Sequence, residues 1–393
     1  MIDIAILTFE PFPFGMAATN RFTSWAKVLV KSGYSVKVIV IRPTENPENV
    51  INVSTSGNFE GIQYQYLSKD TIWLKTRTKL SKFVILCNGY FNLIRELYRD
   101  KPKTITTYSA DLVLKVIVIA LKPFLKFRLV IEETEFPKIL KTQTNSLHSS
   151  FFLGLYKYSD AMLVMTDELQ LYYTSLGVKN IMVLPMSVDI SRFEGLTHTR
   201  TSLRYFLYLG GSGGFIRDGV FEIVRVFHLS KVYLNGVKLF IGGEFETSAL
   251  LFRQITDYID ENSLTDYILF LGAQHPSKVP GLLMGSTGII MLPQSDFHSG
   301  GFPTKLGEFL ASGRPVICTA VSEIPLYLNG SNSYLIKPGD FEAAAGAIID
   351  IISNPVKASQ IGLCGRELAL KEFNPDFFAE DLIDFLQLDQ NQD

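Results

Sequence analysis

Short apolar runs alternate with longer amphipathic stretches along the whole chain, and most runs are too continuously apolar for strands wetted on one face. In the first half the runs at 2–7, 36–41, 104–107, 129–132, 160–165 and 181–184 read as buried strands. In the second half those at 205–209, 238–241, 268–271 and 288–292 do the same. Helical spacing follows most of them, up to 32 after the first run and then over 74–99, 110–121, 167–176, up to 258, and 279–284. The polar stretch 43–70 holds two strand-like pieces, at 50–53 and 62–67. A final amphipathic helix is expected over 373–388. Strand–helix alternation of this kind predicts an α/β fold of two doubly wound domains, with ligands outside the carboxyl ends of the strands. The expected division is 1–185, 186–372 and a terminal helical segment 373–393.

The stretch 299–320, SGGFPTKLGEFLASGRPVICTA, concentrates the local signals. A helix is expected from Thr304 to Ala311 with Pro303 at its first position, where the missing amide costs nothing. Gly313 stops it, and Pro315 opens a buried strand ending at Cys318. Free amides and the positive helix end at Thr304 suit a phosphate. Lys305 and Glu308, three apart, share a face. Together they suggest a diphosphate held at the helix start and a carboxylate binding hydroxyls one turn on, which is nucleotide-sugar chemistry. An ordinary amphipathic crossover helix is the alternative.

Composition narrows the field. The chain has 393 residues, 47% hydrophobic and 19% charged, which fits a folded two-domain protein. Its net charge of −2 hides an asymmetry: residues 1–195 hold 23 Lys plus Arg against 17 Asp plus Glu, a balance of +6, and the remainder stands at −8. Basic, apolar stretches over 74–99 and 110–130 read either as solvated faces or as a surface for anionic membrane headgroups. Cys87, Cys318 and Cys364 indicate neither a disulfide framework nor a zinc site. The acidic start reads as a buried strand, so no signal peptide is expected, and the most apolar segment, 112–130, is broken by Lys115, Lys122, Pro123, Lys126 and Arg128. The expected location is the cytoplasm, at or near the inner face of the membrane.

Three further features bear on chemistry. The loop after the first strand carries Gly15, Met16, Asn20 and Arg21 at a cleft edge, although Arg21 could equally be a solvated helix charge. Glu132, Glu133 and Glu135 close a strand and could bind sugar hydroxyls, act as base or cap the next helix; Glu133 and Glu135 are the preferred contributors. The loop GGSGGFIRDG brings Gly210, Gly211 and Gly213 toward Arg217, so backbone amides and a fixed cation could meet a phosphate. Ile216 breaks the dinucleotide glycine spacing, which counts against a nicotinamide or flavin enzyme.

GFPTKLGEFLASGRPVI, the upstream PMSVDISRF, the glycine loop ending in Arg217 and the turn YLIKPGD occur in the order found in GT-B glycosyltransferases of the large retaining family 4, which the chain resembles over nearly its whole length. The resemblance implies GT-B architecture, two Rossmann-like domains facing a central cleft, with the sugar nucleotide on the second domain, the acceptor on the first, and the last helix crossing back. Glu308 resembles the second glutamate of the family's paired motif and would bind the donor ribose. Arg217 and Lys305 would face the diphosphate, Gly15 the donor phosphate or the acceptor. The donor set is then Gly210, Gly211, Gly213, Arg217, Gly272, Gly301, Phe302, Pro303, Thr304, Lys305 and Glu308. The acceptor side is Gly15, Met16, Asn20, Arg21, Glu133 and Glu135. Gly300 stands where the family has its first glutamate, Gly211 where it often has Arg, and TTYSADL offers Tyr108 and Ser109 in place of a histidine.

The implied reaction is hexose transfer from a nucleoside diphosphate sugar to a hydroxyl of a glycan or lipid-linked glycan, with retention, as in cell-envelope polysaccharide synthesis. Arg217, Lys305 and helix-start amides would stabilise the leaving diphosphate, with no metal and no further cofactor. The chain has no Asp-x-Asp, the usual manganese site of the other glycosyltransferase fold. The leaving oxygen could take the acceptor proton itself, and Asp189 reads as a linker cap. The rival readings are a sugar-nucleotide epimerase of the same fold and a sugar-nucleotide-binding partner without catalysis. Nucleic acid is not an expected partner.

Overall fold

The structure, a computed structural model, describes residues 2–108, 111–137, 147–196, 203–211, 214–245, 249–293 and 300–388. The chain forms two compact units, Met1–Asp189 with Pro375–Asp393, and Ile190–Asn374.

The first unit is built on an eight-stranded sheet. Its strands are β1 (Ile4–Thr8), β2 (Val36–Val40), β3 (Ser56–Phe59), β4 (Ile62–Tyr66), β5 (Thr104–Tyr108), β6 (Arg128–Glu133), β7 (Ala161–Val164) and β8 (Ile181–Val183). The spatial order is β3-β4-β2-β1-β5-β6-β7-β8, and every pairing is parallel except β3 with β4. β1 is buried at all five positions, as a central strand covered on both faces must be. The helix Ala17–Lys31 buries Phe22, Trp25, Ala26 and Leu29. The helix Ala379–Leu386 adds Leu382 and Leu386 to the same core, starting after the 3₁₀ turn Pro375–Phe378 rather than at 373.

One strand differs from the sequence reading. The piece at 50–53 is not a strand, because the amides of Ile51 and Asn52 bond to the Glu45 carboxylate, at 2.8 and 3.2 Å. The strand forms instead over the polar Ser56–Phe59, where a tight turn with Glu60 and Gly61 at φ 51° and 87° closes a hairpin onto β4.

The second unit has a wholly parallel six-stranded sheet, β9 (Tyr205–Leu209), β10 (Lys238–Gly242), β11 (Ile268–Gly272), β12 (Gly288–Met291), β13 (Val316–Thr319) and β14 (Tyr334–Ile336), in the order β11-β10-β9-β12-β13-β14. Its helices Val220–Ser230 and Leu250–Glu261 bring Val220, Ile223, Val224, Phe227, Ile255 and Ile259 into one apolar cluster. In each sheet the strand order reverses at the first strand of the unit: β1 lies between β2 and β5, and β9 between β10 and β12. Such a switch point opens a crevice at the carboxyl ends of the strands.

Candidate functional site

In the second unit the crevice at β9 is lined by glycine backbone. The Gly210 amide, just past β9, donates to the Gly242 carbonyl at 3.0 Å, and the Gly243 amide donates to the Gly272 carbonyl at 2.9 Å. A Cβ on Gly210 would stand 2.0 Å from the Tyr208 hydroxyl and 3.1 Å from Lys305 Nζ. Only glycine fits there, and the same measurement places the Lys305 ammonium against the glycine loop. The helix Thr304–Ala311 delivers that lysine. Its bounds are those expected, with Gly313 at φ 72° just beyond its end, except that Pro303 is the N-cap residue rather than the first helical one.

Lys305 is held from beneath. Asp218, 2% exposed, takes Lys305 Nζ on the oxygen that also accepts the Tyr208 hydroxyl at 2.7 Å. Burial pushes the lysine below its usual range, and the Asp218 charge opposes that shift. Arg217, ending the short helix Gly214–Arg217, has its Nε 3.8 Å from Asp218 and a half-exposed side chain. Two cations and one carboxylate therefore meet at the carboxyl end of β9, a net positive site in a partly desolvated setting.

One turn further on, Glu308 is ion-paired with Arg192, whose other nitrogen donates to the Pro276 carbonyl at 2.9 Å. Both side chains are largely buried. The carboxylate is thus fixed on the face that carries Lys305. The loop before the helix is anchored by Phe302, whose ring packs against Tyr327 and Phe373 at centroid distances of 5.5 and 5.7 Å. Phe302 was expected to meet donor; its side chain is instead turned into this aromatic cluster, leaving its backbone at the loop. The Gly301 carbonyl accepts from Ser322 Oγ at 3.2 Å, and Gly272 serves a bulge between β10 and β11. Gly211 follows Gly210, while Gly213 and Ser109 lie outside the described residues.

The first unit corrects two expectations. Arg21 is 1% exposed and does not face an acceptor: its Nε donates to Glu132 at 2.7 Å, and its other nitrogens donate to the carbonyls of Pro185 and Leu184 at 2.7 and 2.8 Å. It ties the end of β6 to the chain beyond β8. Burial still pushes the Glu132 carboxyl up, with Arg21 opposing. Glu133 is also buried, accepting from Lys115 at 3.0 Å and from the Tyr156 hydroxyl at 2.8 Å. Lys115 sits 3.8 Å from the centre of the Tyr156 ring, and burial lowers its pKa. These carboxylates brace the carboxyl end of β6. Glu135 and Asn20 are half-buried, and Met16 is exposed as the N-cap of the helix Ala17–Lys31. Gly15 packs against Thr19, whose hydroxyl donates to the Pro11 carbonyl at 2.8 Å. Asp189 accepts from Lys27 at 2.6 Å.

Sequence reasoning passed over Asp218, Tyr208 and Arg192. Asp218 stands directly after Arg217 in IRDG, and Arg192 lies inside PMSVDISRF; a carboxylate or cation beside a site motif was the available signal.

Residues 204–354 match the model of the family described as glycosyl transferases group 1. The match falls within the second unit and covers most of it. A Bacillus subtilis protein named for teichuronic acid biosynthesis as glycosyltransferase TuaC is 26% identical over 200 residues, covering 48% of this chain and 46% of that one. The chain thus spans about half the length of that curated relative. Among solved structures, sucrose-phosphate synthase from Thermosynechococcus elongatus superposes with a TM-score of 0.76 at 17% identity, over 98% of both chains. Anabaena HepE, solved in complex with UDP-glucose, gives 0.67 at 12% identity, over 98% of this chain and 99% of that one. At such identities the likeness establishes the fold, and the fold is GT-B. Lys305, Glu308, Asp218 and Arg217 lie within the matched segment, while Arg192 precedes it.

Proposed function

We propose that the chain is a retaining glycosyltransferase that moves a hexose from a nucleoside diphosphate sugar to a hydroxyl of a glycan or lipid-linked acceptor in cell-envelope polysaccharide synthesis. One observation carries the reading: a buried-carboxylate-held Lys305 against the glycine loop, with Glu308 one helical turn away. The diphosphate would lie over the start of the helix Thr304–Ala311, between Lys305, Arg217 and first-turn amides that have no intrahelical partner. Glu308 would accept hydrogen bonds from the ribose hydroxyls. The match to group 1 glycosyl transferases and the TuaC likeness support the class and the envelope setting. HepE's complex makes uridine the base to try first.

As the bond from the sugar's anomeric carbon to the diphosphate oxygen breaks, negative charge grows on that oxygen. Lys305 and Arg217 stabilise it where it develops, which is where preorganised electrostatics act most strongly. The acceptor oxygen bonds to the same face of the anomeric carbon, and the departing oxygen takes its proton, so configuration is kept without a protein base. In this reading the protein's cations do the work a divalent metal does elsewhere, and turnover should persist in chelator. The test is donor turnover followed by proton NMR of the anomeric signal. An α-linked donor giving an α-linked product, in chelator, supports the reading; an inverted product or turnover that requires metal contradicts it. Nucleotide binding without any turnover of donor across acceptors would favour a binding partner that has lost catalysis.

A further inference from the structure

Among its described residues the first unit presents an exposed apolar face. The helix Lys79–Asp100, which leads into β5, exposes Leu80 at 73%, Phe83 at 63% and Phe91 at 62%, with Val84 between them. With the exposed Cys87, positions 80, 83 or 84, 87 and 91 follow one another at helical spacing, so they form one stripe along the outward side rather than scattered surface residues. The neighbouring helix Leu112–Leu125 continues it with exposed Val113 and Val116, and the two helices are joined where the Tyr90 hydroxyl donates to Asp111 at 2.8 Å. Adjacent exposed apolar side chains in this number mark an interaction surface.

Charge identifies what covers it. Only two acids lie on the first helix, Glu96 and Asp100, and both turn inward to Lys37 on β2, at 3.1 and 2.6 Å. The second helix has none. Lys75, Lys79 and Lys82 crowd the start of the stripe, and Lys82 reaches the Lys75 carbonyl at 2.9 Å. An apolar stripe bordered by lysines, with its acids withdrawn, complements a bilayer with anionic headgroups: rings enter the acyl boundary and ammonium groups stay at the phosphates. Among the described residues no helix is long and apolar enough to cross a membrane, so such contact would lie along the surface. We infer that this two-helix face docks the protein on an anionic lipid membrane. The inference does not rest on the donor-site reading, since none of these residues belongs to that site.

The experiment is flotation of the full chain with vesicles of phosphatidylcholine alone or mixed with phosphatidylglycerol. Binding is expected only with the mixed vesicles and should weaken with salt. Lys75→Glu with Lys79→Glu should weaken it about 25-fold or more, at about fivefold for each lysine lost, and Phe83→Ser with Val84→Ser should abolish it. All these side chains border or form the exposed face, so far-UV circular dichroism and nucleotide-induced thermal shifts should stay as in the wild type. Three results overturn the inference: no binding to anionic vesicles, unchanged binding by the charge-reversed variant, or a wild-type dimer in solution that Phe83→Ser dissociates.

Discussion

Asp218 and Lys305 are 87 positions apart in sequence, yet the lysine ammonium rests on the aspartate carboxylate at the end of β9, with the Tyr208 hydroxyl on the same oxygen. The pair makes Lys305 a fixed cation rather than a flexible one. Lys305→Met should therefore act twice. It should lower kcat/KM for donor by about 10²–10³, the scale for losing one preorganised charge contact. By leaving Asp218 buried without its cation, it should also cost about 3 kcal/mol of stability. Adding Asp218→Asn should restore most of the stability and none of the activity, as read by urea unfolding and steady-state kinetics. Unchanged kcat/KM in Lys305→Met would remove the lysine from the mechanism.

The same lysine sets a pH dependence. Its folded pKa lies below the usual lysine range because burial disfavours the charged form. Folding therefore carries a penalty for the ammonium at neutral pH, relieved as pH rises from the lowered value toward about 10.4. A bound diphosphate needs the ammonium. Within that window binding must take up a proton, and affinity should fall by up to about tenfold per pH unit. Calorimetry of nucleoside diphosphate binding in buffers of different ionisation enthalpy would show proton uptake on the alkaline side; its absence there, or affinity flat with pH, would count against Lys305 as the diphosphate's cation.

Arg192 holds the Glu308 carboxylate through their ion pair. Glu308→Gln should raise the donor dissociation constant about tenfold, because hydrogen bonds to a charged acceptor are worth about 1.5–3 kcal/mol. Arg192→Met should do part of the same damage, and the double variant should be no worse than Glu308→Gln alone, since side chains in one network are not additive. Additive losses would mean that Arg192 acts on something other than Glu308.

Arg21→Met should leave Glu132 buried and unpaired, costing about 3–5 kcal/mol, while Arg21→Met with Glu132→Leu should recover much of it. Glu132 already has its folded pKa raised, by burial. In the single variant, stability should be greatest below about pH 4.3 and fall as pH rises through the folded value, because the ionised form is then the disfavoured one. Thermal midpoints across that range check this. A variant of unchanged stability and pH profile would show that Arg21 is not the clamp on β6.

Local chemistry made the helix Thr304–Ala311 legible: Pro303 and Gly313 bracket it, and the apolar run to Cys318 follows within five residues. The two parallel sheets were legible for the same reason, since buried strands read as unbroken apolar runs. Pairings between distant positions were not. Arg192 meets Glu308 across 116 positions and Arg21 meets Glu132 across 111, and only the strand order brings them together. A charge at the start of an amphipathic helix gives no sign of whether it faces water, so Arg21 was open between a cleft and a solvated surface. The edge strand Ser56–Phe59 was hidden because a hairpin turn makes it, not apolar side chains.

The most direct test of the donor site is the thermal midpoint of wild type and Lys305→Met against a panel of nucleoside diphosphates and their sugars in chelator. Ligand at about 100 times its dissociation constant stabilises by about 2.7 kcal/mol, a shift that is easily read. One base should protect the wild type, and Lys305→Met should lose most of that protection while the matching nucleoside protects neither. Protection by no nucleotide, or equal protection of both proteins, would contradict a diphosphate site at Lys305.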